Sequence, residues 1–242
     1  MFCLPVPKDK YQTSTPWFIR AICIVDAVLL LPYYATNKAA FFAHYAFTPA
    51  HPSYLTVFSA LFLHAGFLHY AGNMWFLWIF GQKVEHVLGT FRFAILYLCC
   101  GIGGQLLYLL FNLHSPLPLV GASGAISGIA GFYFFVFPKE RFDLHLYLGW
   151  WRIKTLDATT RSAVGAWIGE QFLLALLTQV TQFSSVAFWA HIGGFAVGTT
   201  AGLAYHHLVP EAERPSMPLI TTAEGTIDTE EQPSDLTTLK LS

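Results

Sequence analysis

Long apolar segments recur along the chain, separated by shorter polar stretches. A membrane-spanning helix needs about 20 mostly apolar residues. Six segments satisfy this length, at 17–34, 55–80, 92–112, 119–137, 163–181 and 187–208. The segment 35–54 is partly apolar, but prolines and histidines interrupt it, so we expect it to lie at the membrane interface. The pattern predicts an all-α fold, a polytopic membrane protein built as a bundle of six transmembrane helices.

The two ends of the chain differ from this apolar middle. Lys8 and Lys10 precede the first apolar segment, as they would in a signal peptide, but no clean small-residue cleavage site follows it, so we interpret it as a spanning helix. From Pro210 onward the chain is rich in Thr, Glu, Asp and Pro without apolar periodicity, which is typical of disorder. We therefore expect a cytoplasmic N-terminal segment at 1–16, a membrane domain at 17–208 and a disordered cytoplasmic tail at 209–242.

Composition supports the membrane assignment and excludes other classes. The residues AVILMFWYC make up 55% of the chain and charged residues only 11%, whereas soluble domains carry about 25% charged residues. The formal net charge of −1 argues against a nucleic-acid partner, because nucleic-acid-binding proteins present basic surfaces. The four cysteines have neither a CxxC pair nor the spacing of metal ligands.

The basic residues are distributed unevenly among the predicted loops. Every lysine and arginine except Lys38 lies in or near the terminal segments or the loops that follow the second and fourth predicted helices. Cytoplasmic loops carry an excess of Lys and Arg, so we expect this side to be cytoplasmic, with both termini inside. The second, fourth and sixth helices then run from the outer face to the inner face.

Two polar side chains lie near the outer ends of these helices. Ser123 is near the start of the fourth helix and His191 near the start of the sixth. Polar groups at membrane depth are costly and are functional candidates by default. His191 is followed at three, seven and eleven residues by Gly194, Gly198 and Gly202, which lie within about 80° of it around a helix. Such a stripe of small residues favours close helix packing.

The fourth helix carries a matching stripe of small residues beside Ser123, and the two stripes predict that Ser123 and His191 approach each other. Gly121 and Gly124 flank the serine at a loop-to-helix junction, where backbone N–H groups are free. A serine needs an adjacent base to act as a nucleophile. No carboxylate is positioned to orient His191, so the pattern favours a two-residue dyad over a triad.

The second helix supplies further polar groups. His69 and Asn73 are four residues apart and share a helix face, whereas His64 is five residues before His69 and should point elsewhere. An imidazole and an amide aimed into a site could donate hydrogen bonds to an oxyanion. Zinc binding is the rival interpretation, but the sequence has no HExxH and no His, Cys or Asp that completes a zinc set. We expect no metal and no cofactor.

Taken in order, these motifs resemble the rhomboid family of intramembrane serine proteases over about residues 55–205. The motifs are His64, His69-x-x-x-Asn73, Gly81-x-x-x-Glu85, Gly121-x-Ser123-Gly124 and Ala190-His191-x-x-Gly194-x-x-x-Gly198. The resemblance implies a rhomboid-type bundle, a catalytic Ser123–His191 dyad, and an oxyanion hole formed by His69, Asn73 and the Ser123 backbone N–H. It implies structural roles for the other motif residues, with Glu85 tying the cytoplasmic end of the second helix to the next loop.

Two positions depart from the family pattern. Some members carry a Trp-Arg pair about eight residues before the position of His64, where this chain has Tyr54-Leu55-Thr56. Some members also have an aromatic residue four positions after the serine, against which the histidine ring packs, where this chain has Ser127. The resemblance therefore implies the role of His191 but leaves open what its ring packs against.

We expect an intramembrane serine endopeptidase that cleaves single-pass membrane proteins near the outer face, with transmembrane substrates and the lipid bilayer as its partners. Hydrolysis requires local unwinding of the substrate helix, which small residues or proline at the cleavage point favour. The six-helix layout is similar to that of bacterial members, so we expect a bacterial inner membrane. The sequence leaves the oligomeric state open.

Two other functions compete with this expectation. A non-catalytic rhomboid-like protein that binds membrane clients is the alternative, and the intact Ser-His pair counts against it. A transporter or channel would need polar residues along a path through the membrane. Apart from the motif residues, the notable polar residues in or near the spans are Asp26, Gln105, Glu170 and Gln171, which line no evident route.

Overall fold

The computed structural model describes residues 2–7, 17–35, 38–148, 151–181 and 186–210, and these are mostly helical. The helices are α1 (Trp17–Ala35), α2 (Lys38–Tyr45), α3 (Tyr54–Ser59), α4 (Phe67–Leu88), α5 (Thr90–Phe111), α6 (Ser123–Val136), α7 (Thr160–Thr181) and α8 (Phe188–Leu208), and a 3₁₀ turn at Ala60–Phe62 follows α3. The predicted helices at 17–34, 92–112, 163–181 and 187–208 agree with α1, α5, α7 and α8 to within three residues at each end. The predicted disordered tail at 209–242 lies almost entirely outside the described residues.

The helix α6 lies at the centre of the bundle and packs against α4, α5, α7 and α8. Its sequence is apolar all around, as a helix enclosed by others requires, and Ile129, Phe132 and Tyr133 are almost fully buried. The prediction began this helix at residue 119, but residues 119–122 precede α6 as a non-helical segment, in which Leu119 forms an isolated antiparallel bridge with Phe47. Ser123 is therefore the first residue of the central helix.

The predicted helix at 55–80 is wrong as a single element. Residues 63–66 are not helical and interrupt this segment. The axes of Tyr54–Phe62 and Phe67–Leu88 on either side differ in direction by 84°. The second segment, α4, continues to Leu88, so Gly81 and Glu85 lie within it and not beyond it. Among the described residues, α5 and α7 are long and apolar enough to cross a membrane, and the bent pair would be a third span. The count of six spanning helices stays a prediction.

The all-α prediction needs a correction, because the described residues also form a three-stranded antiparallel sheet. The strands β1 (Phe2–Pro7), β2 (Arg141–Leu148) and β3 (Trp151–Thr159) pair in the order β1-β2-β3. Part of the expected N-terminal segment 1–16 is thus paired with the connection between α6 and α7.

The sheet is anchored to the end of the bundle at which α6 ends. Phe142 of β2 is buried against the rings of Phe80 and Tyr133, with centroids 5.8 and 6.1 Å away. Just before β2, the Glu140 carbonyl accepts a hydrogen bond from Thr160 N at 2.8 Å, and its carboxylate pairs with Lys83 Nζ at 2.6 Å. These contacts join the segment between α6 and β2 to the start of α7 and to α4.

Glu85 fastens α1 to α4. Its carboxylate accepts hydrogen bonds from the backbone N–H groups of Phe18 (2.9 Å) and Ile19 (3.3 Å), in the first turn of α1. These N–H groups have no acceptor within their own helix, and a carboxylate is favourable at a helix N-terminus. Thr90 Oγ1, in the first residue of α5, also donates to Glu85 Oε1 at 3.0 Å, so the carboxylate contacts the helix after α4, whereas the resemblance implied a tie to the next loop. A Cβ at Gly81 would lie 2.8 Å from Ile19 Cδ1, so the small residue permits this close approach.

Candidate active site

The loop before α6 fixes the position of Ser123. Gly121 N donates to Ala60 O at 2.9 Å, and Phe47 and Leu119 exchange two backbone hydrogen bonds of 3.0 and 2.7 Å. Gly121 has φ +130°, a conformation that favours glycine. Since Ser123 opens the helix, the N–H groups of its first turn have no intrahelical acceptor and are suited to an anion.

Glycines bring α6 and α8 into backbone contact. A Cβ on Gly194 would overlap the carbonyl oxygen of Gly124, and one on Gly198 would overlap that of Gly128. The helix α5 approaches as closely, since a Cβ on Gly104 would lie 2.5 Å from Ala190 O. The predicted pairing of the two small-residue stripes is confirmed.

This packing brings Ser123 and His191 together. His191 Nε2 lies 2.9 Å from Ser123 Oγ, at hydrogen-bond distance. On the other side of the ring, His191 Nδ1 lies 2.7 Å from Oε1 of Gln171, a buried residue of α7. Gln171 is one of the polar residues noted in or near the predicted spans, but no role was predicted for it.

Aromatic side chains also surround the His191 ring. The Trp167 ring of α7 lies 6.2 Å from it, and the Phe188 ring lies 6.4 Å from it in an edge-on arrangement. Ser127, where some family members have an aromatic residue, instead donates its hydroxyl to Ser123 O at 2.6 Å. The packing that the resemblance left open is therefore supplied by α7 and α8.

His69 and Asn73 lie beside the start of α6. A Cβ on Gly121 would lie 2.9 Å from His69 Cε1 and 3.0 Å from His69 Nε2, so this ring covers the residue two positions before Ser123. His69 Nδ1 accepts a hydrogen bond from Ala65 N at 3.4 Å, which leaves the hydrogen on Nε2 as a donor. Asn73 is buried, and its Nδ2 donates to His69 O at 2.9 Å.

The expectation that His64 points away from His69 is wrong. The prediction assumed one continuous helix, but residues 63–66 are not helical, and the two imidazole rings lie 5.1 Å apart in an edge-on arrangement. His64 is almost completely buried against the Tyr70 ring, and its Nδ1 lies 3.7 Å from Asp26 Oδ2 of α1. The break in the helix thus turns His64 into the bundle.

A small cavity adjoins the serine. Its volume is about 10 Å³, and Gly121, Ser123, Gly124 and Ala190 are among its lining residues. Such a space holds about one water molecule. A serine hydroxyl, an imidazole, helix N-terminal N–H groups and room for water are therefore grouped at one end of α6.

Comparison with known proteins assigns this arrangement to a family. The sequence profile of the Rhomboid domain matches residues 51–208, more than half of the chain. The chain belongs to the rhomboid family. This family includes intramembrane serine proteases, and together with the apolar helices the membership makes the chain an integral membrane protein.

Curated relatives cover parts of the chain. RHOMBOID-like protein 1 of Arabidopsis thaliana is 28% identical over 225 residues, covering 78% of this chain and 53% of that protein. Rhomboid protein 1, mitochondrial, of Saccharomyces cerevisiae is 28% identical over 158 residues, 62% of this chain and 41% of that protein. Rhomboid protease GluP of Bacillus subtilis is 42% identical over 79 residues, 33% of this chain and 15% of that protein.

The chain spans about half or less of the length of these relatives. They come from a plant, from yeast and from a bacterium, so the comparison supports a membrane protein without assigning it to one membrane. The bacterial inner membrane stays a prediction.

Proposed function

We propose that this rhomboid-family protein is an intramembrane serine endopeptidase with Ser123 as nucleophile and His191 as general base. The observation that carries the proposal is the 2.9 Å approach of His191 Nε2 to Ser123 Oγ across two helices packed through glycine. A hydroxyl becomes an effective nucleophile when a base is within hydrogen-bond reach. A pair placed this way has the geometry for acyl transfer.

The reaction follows from the positions of these atoms. Ser123 Oγ attacks the carbonyl carbon of the scissile peptide while His191 Nε2 takes its proton. The imidazolium then donates that proton to the departing amine, leaving an ester on Ser123. Water, deprotonated by the same nitrogen, hydrolyses the ester and restores the hydroxyl.

We assign the oxyanion to donors that converge near the start of α6. The Ser123 N–H belongs to the free first turn, and His69 Nε2 faces the adjacent Gly121. Asn73 Nδ2 carries two hydrogens, of which one is engaged by His69 O. The second can be donated to the negative oxygen of the tetrahedral intermediate.

The substrates we propose are single-pass membrane proteins cut near the outer membrane face. A helical peptide bond has its carbonyl hydrogen-bonded, so the segment must unwind before Ser123 can attack it, and small or helix-breaking residues lower that cost. The basic-residue distribution supports a site near the outer face and cytoplasmic termini.

The test is cleavage of a transmembrane substrate by purified protein in detergent or liposomes. Ser123→Ala and His191→Ala should each reduce turnover by on the order of 10⁴-fold or more, and the double variant should be no worse than either, because the pair acts as a unit. A serine-directed fluorophosphonate should label the protein at Ser123 and stop cleavage. Ser162→Ala, which alters an exposed serine at the start of α7, is the matched control and should cleave normally.

The same experiment separates the protease from a non-catalytic client-binding protein. If Ser123→Ala cleaves the substrate as fast as the unmodified protein does, the serine mechanism is wrong. If neither form cleaves but both bind the substrate equally, the chain is a client-binding protein.

A further inference from the structure

Gln171 is a buried amide in the middle of α7. Its side chain is directed at α8, where Oε1 lies 2.7 Å from His191 Nδ1, and the residue is only 7% exposed. A polar group buried at membrane depth is costly unless it is hydrogen-bonded, and in such a helix it is a candidate for function. The contact joins a third helix to the Ser123–His191 pair.

The chemistry of this contact has one consistent proton arrangement. An amide oxygen accepts hydrogen bonds and cannot donate them, so His191 Nδ1 must carry the hydrogen of the neutral ring. His191 Nε2 then presents its lone pair to Ser123 Oγ at 2.9 Å. The hydrogen bond at one ring nitrogen thus determines which nitrogen is free to act as a base.

The aromatic neighbours of His191 cannot select between the two neutral tautomers of its ring. Trp167 and Phe188 contact the ring at centroid distances above 6 Å and limit how it can tilt. Neither is in hydrogen-bond contact with the ring nitrogens among the described residues, so they do not discriminate between the two tautomers. Among the described residues, the Gln171 amide is the group within hydrogen-bond distance of Nδ1.

We propose that Gln171 is a positioning residue for His191: from α7 it holds the imidazole as the Nδ1–H tautomer, with Nε2 facing Ser123. The kinetic consequence rests on the proposed protease function, whereas the tautomer stands on the geometry alone. The group that orients the histidine is neutral, and a neutral amide is far cheaper to bury in a membrane helix than a carboxylate.

The kinetic test compares substitutions at Gln171. Gln171→Leu removes the acceptor and should lower kcat by about 10- to 100-fold, less than the roughly 10⁴-fold loss when the orienting carboxylate of a Ser-His-Asp triad is neutralised. KM should change little, because Gln171 lies at His191 Nδ1, on the side of the ring opposite Ser123. Gln171→Glu keeps an acceptor oxygen and should therefore retain most of the kcat of the unmodified protein. Gln179→Leu is the matched control on the same helix, since that amide donates to Phe111 O at 3.0 Å, and it should retain normal kcat.

A spectroscopic test reads the tautomer without any substrate. The ¹⁵N chemical shifts of histidine-labelled protein in micelles, with the His191 signals identified by their loss in His191→Ala, report which ring nitrogen carries hydrogen. The unmodified protein at a pH where the ring is neutral should show a protonated Nδ1 and a bare Nε2. Gln171→Leu should move the ring toward a mixture of tautomers, whereas Gln179→Leu should leave the spectrum unchanged.

The two readouts separate failure of this proposal from failure of the protease function. If Nε2 carries the hydrogen in the unmodified protein, the proposal is wrong whatever the activity. It is also wrong if Gln171→Leu lowers kcat with the tautomer unchanged, since Gln171 would then be merely structural. If Gln171→Leu fails to fold, the spectrum of the unmodified protein and the activity of Gln171→Glu still test whether Gln171 positions His191. An active Ser123→Ala protein would instead overturn the protease function and leave the tautomer measurement intact.

Discussion

At the scale of single residues, Asn73 has a hydrogen bond within its own helix and a second N–H that our mechanism assigns to the oxyanion. Asn73→Ala should therefore reduce kcat by on the order of 10²–10³-fold, the usual effect of losing one oxyanion donor, with little change in KM. Asn112→Ala is a close control, because Asn112 Nδ2 donates one turn back to Tyr108 O at 2.9 Å, just as Asn73 donates to His69 O. Steady-state cleavage kinetics give both parameters. A raised KM with unchanged kcat would make Asn73 a docking residue.

Some residues of the site could be predicted from the sequence, and others could not. Ser123 and His191 were found because polar side chains beside glycine stripes are conspicuous in membrane helices. Gln171 was given no role because a contact between side chains of different helices has no signature in local spacing. His64 was misplaced because a helical-wheel argument fails once the helix breaks, and the break at 63–66 could not be inferred from hydropathy alone.

At the scale of helices, the glycine contact between α6 and α8 should be intolerant of a single added methyl group. In Gly198→Ala the Cβ would meet the Gly128 carbonyl oxygen, which is backbone and cannot rotate away. The expected loss is about 1–3 kcal/mol of unfolding free energy, the usual cost of overpacking. Gly169→Ala in α7 is the control, because nothing lies within 4 Å of its Cβ, and it should be neutral or slightly stabilising. Unfolding in mixed micelles measures both, and equal stability of the two variants would contradict the packing.

Among the elements, length and apolarity predicted four long helices well and missed the sheet. The alternation of Phe142, Leu144, Leu146 and Leu148 with polar neighbours is a strand pattern of period two. It was overlooked because β2 and β3 fall in what appeared to be a polar loop between spans. The partner β1 adds long-range pairing between Phe2–Pro7 and Phe142–Tyr147, which no local pattern encodes.

At the scale of the whole molecule, the sheet constrains how the chain can be threaded through a membrane. Because β1 pairs with β2, the N-terminus must be on the same side as the connection between α6 and α7. The basic-residue distribution, which is independent of strand pairing, predicts that both segments are cytoplasmic. The loop between α5 and α6 lies at the other end of α6, next to Ser123, and should face outward.

This arrangement predicts which positions an impermeant thiol reagent can reach in intact cells. In a background lacking the native cysteines, Leu117→Cys replaces an exposed residue before α6 and should be labelled from outside. Lys154→Cys, at an exposed position of the edge strand β3, should be labelled only after lysis. The two sites lie at opposite ends of α6, so one labelling experiment tests which end of the helix is on each side of the membrane. The reverse pattern would place the Ser123–His191 pair near the inner face, and substrates would then have to be cut from the cytoplasmic side.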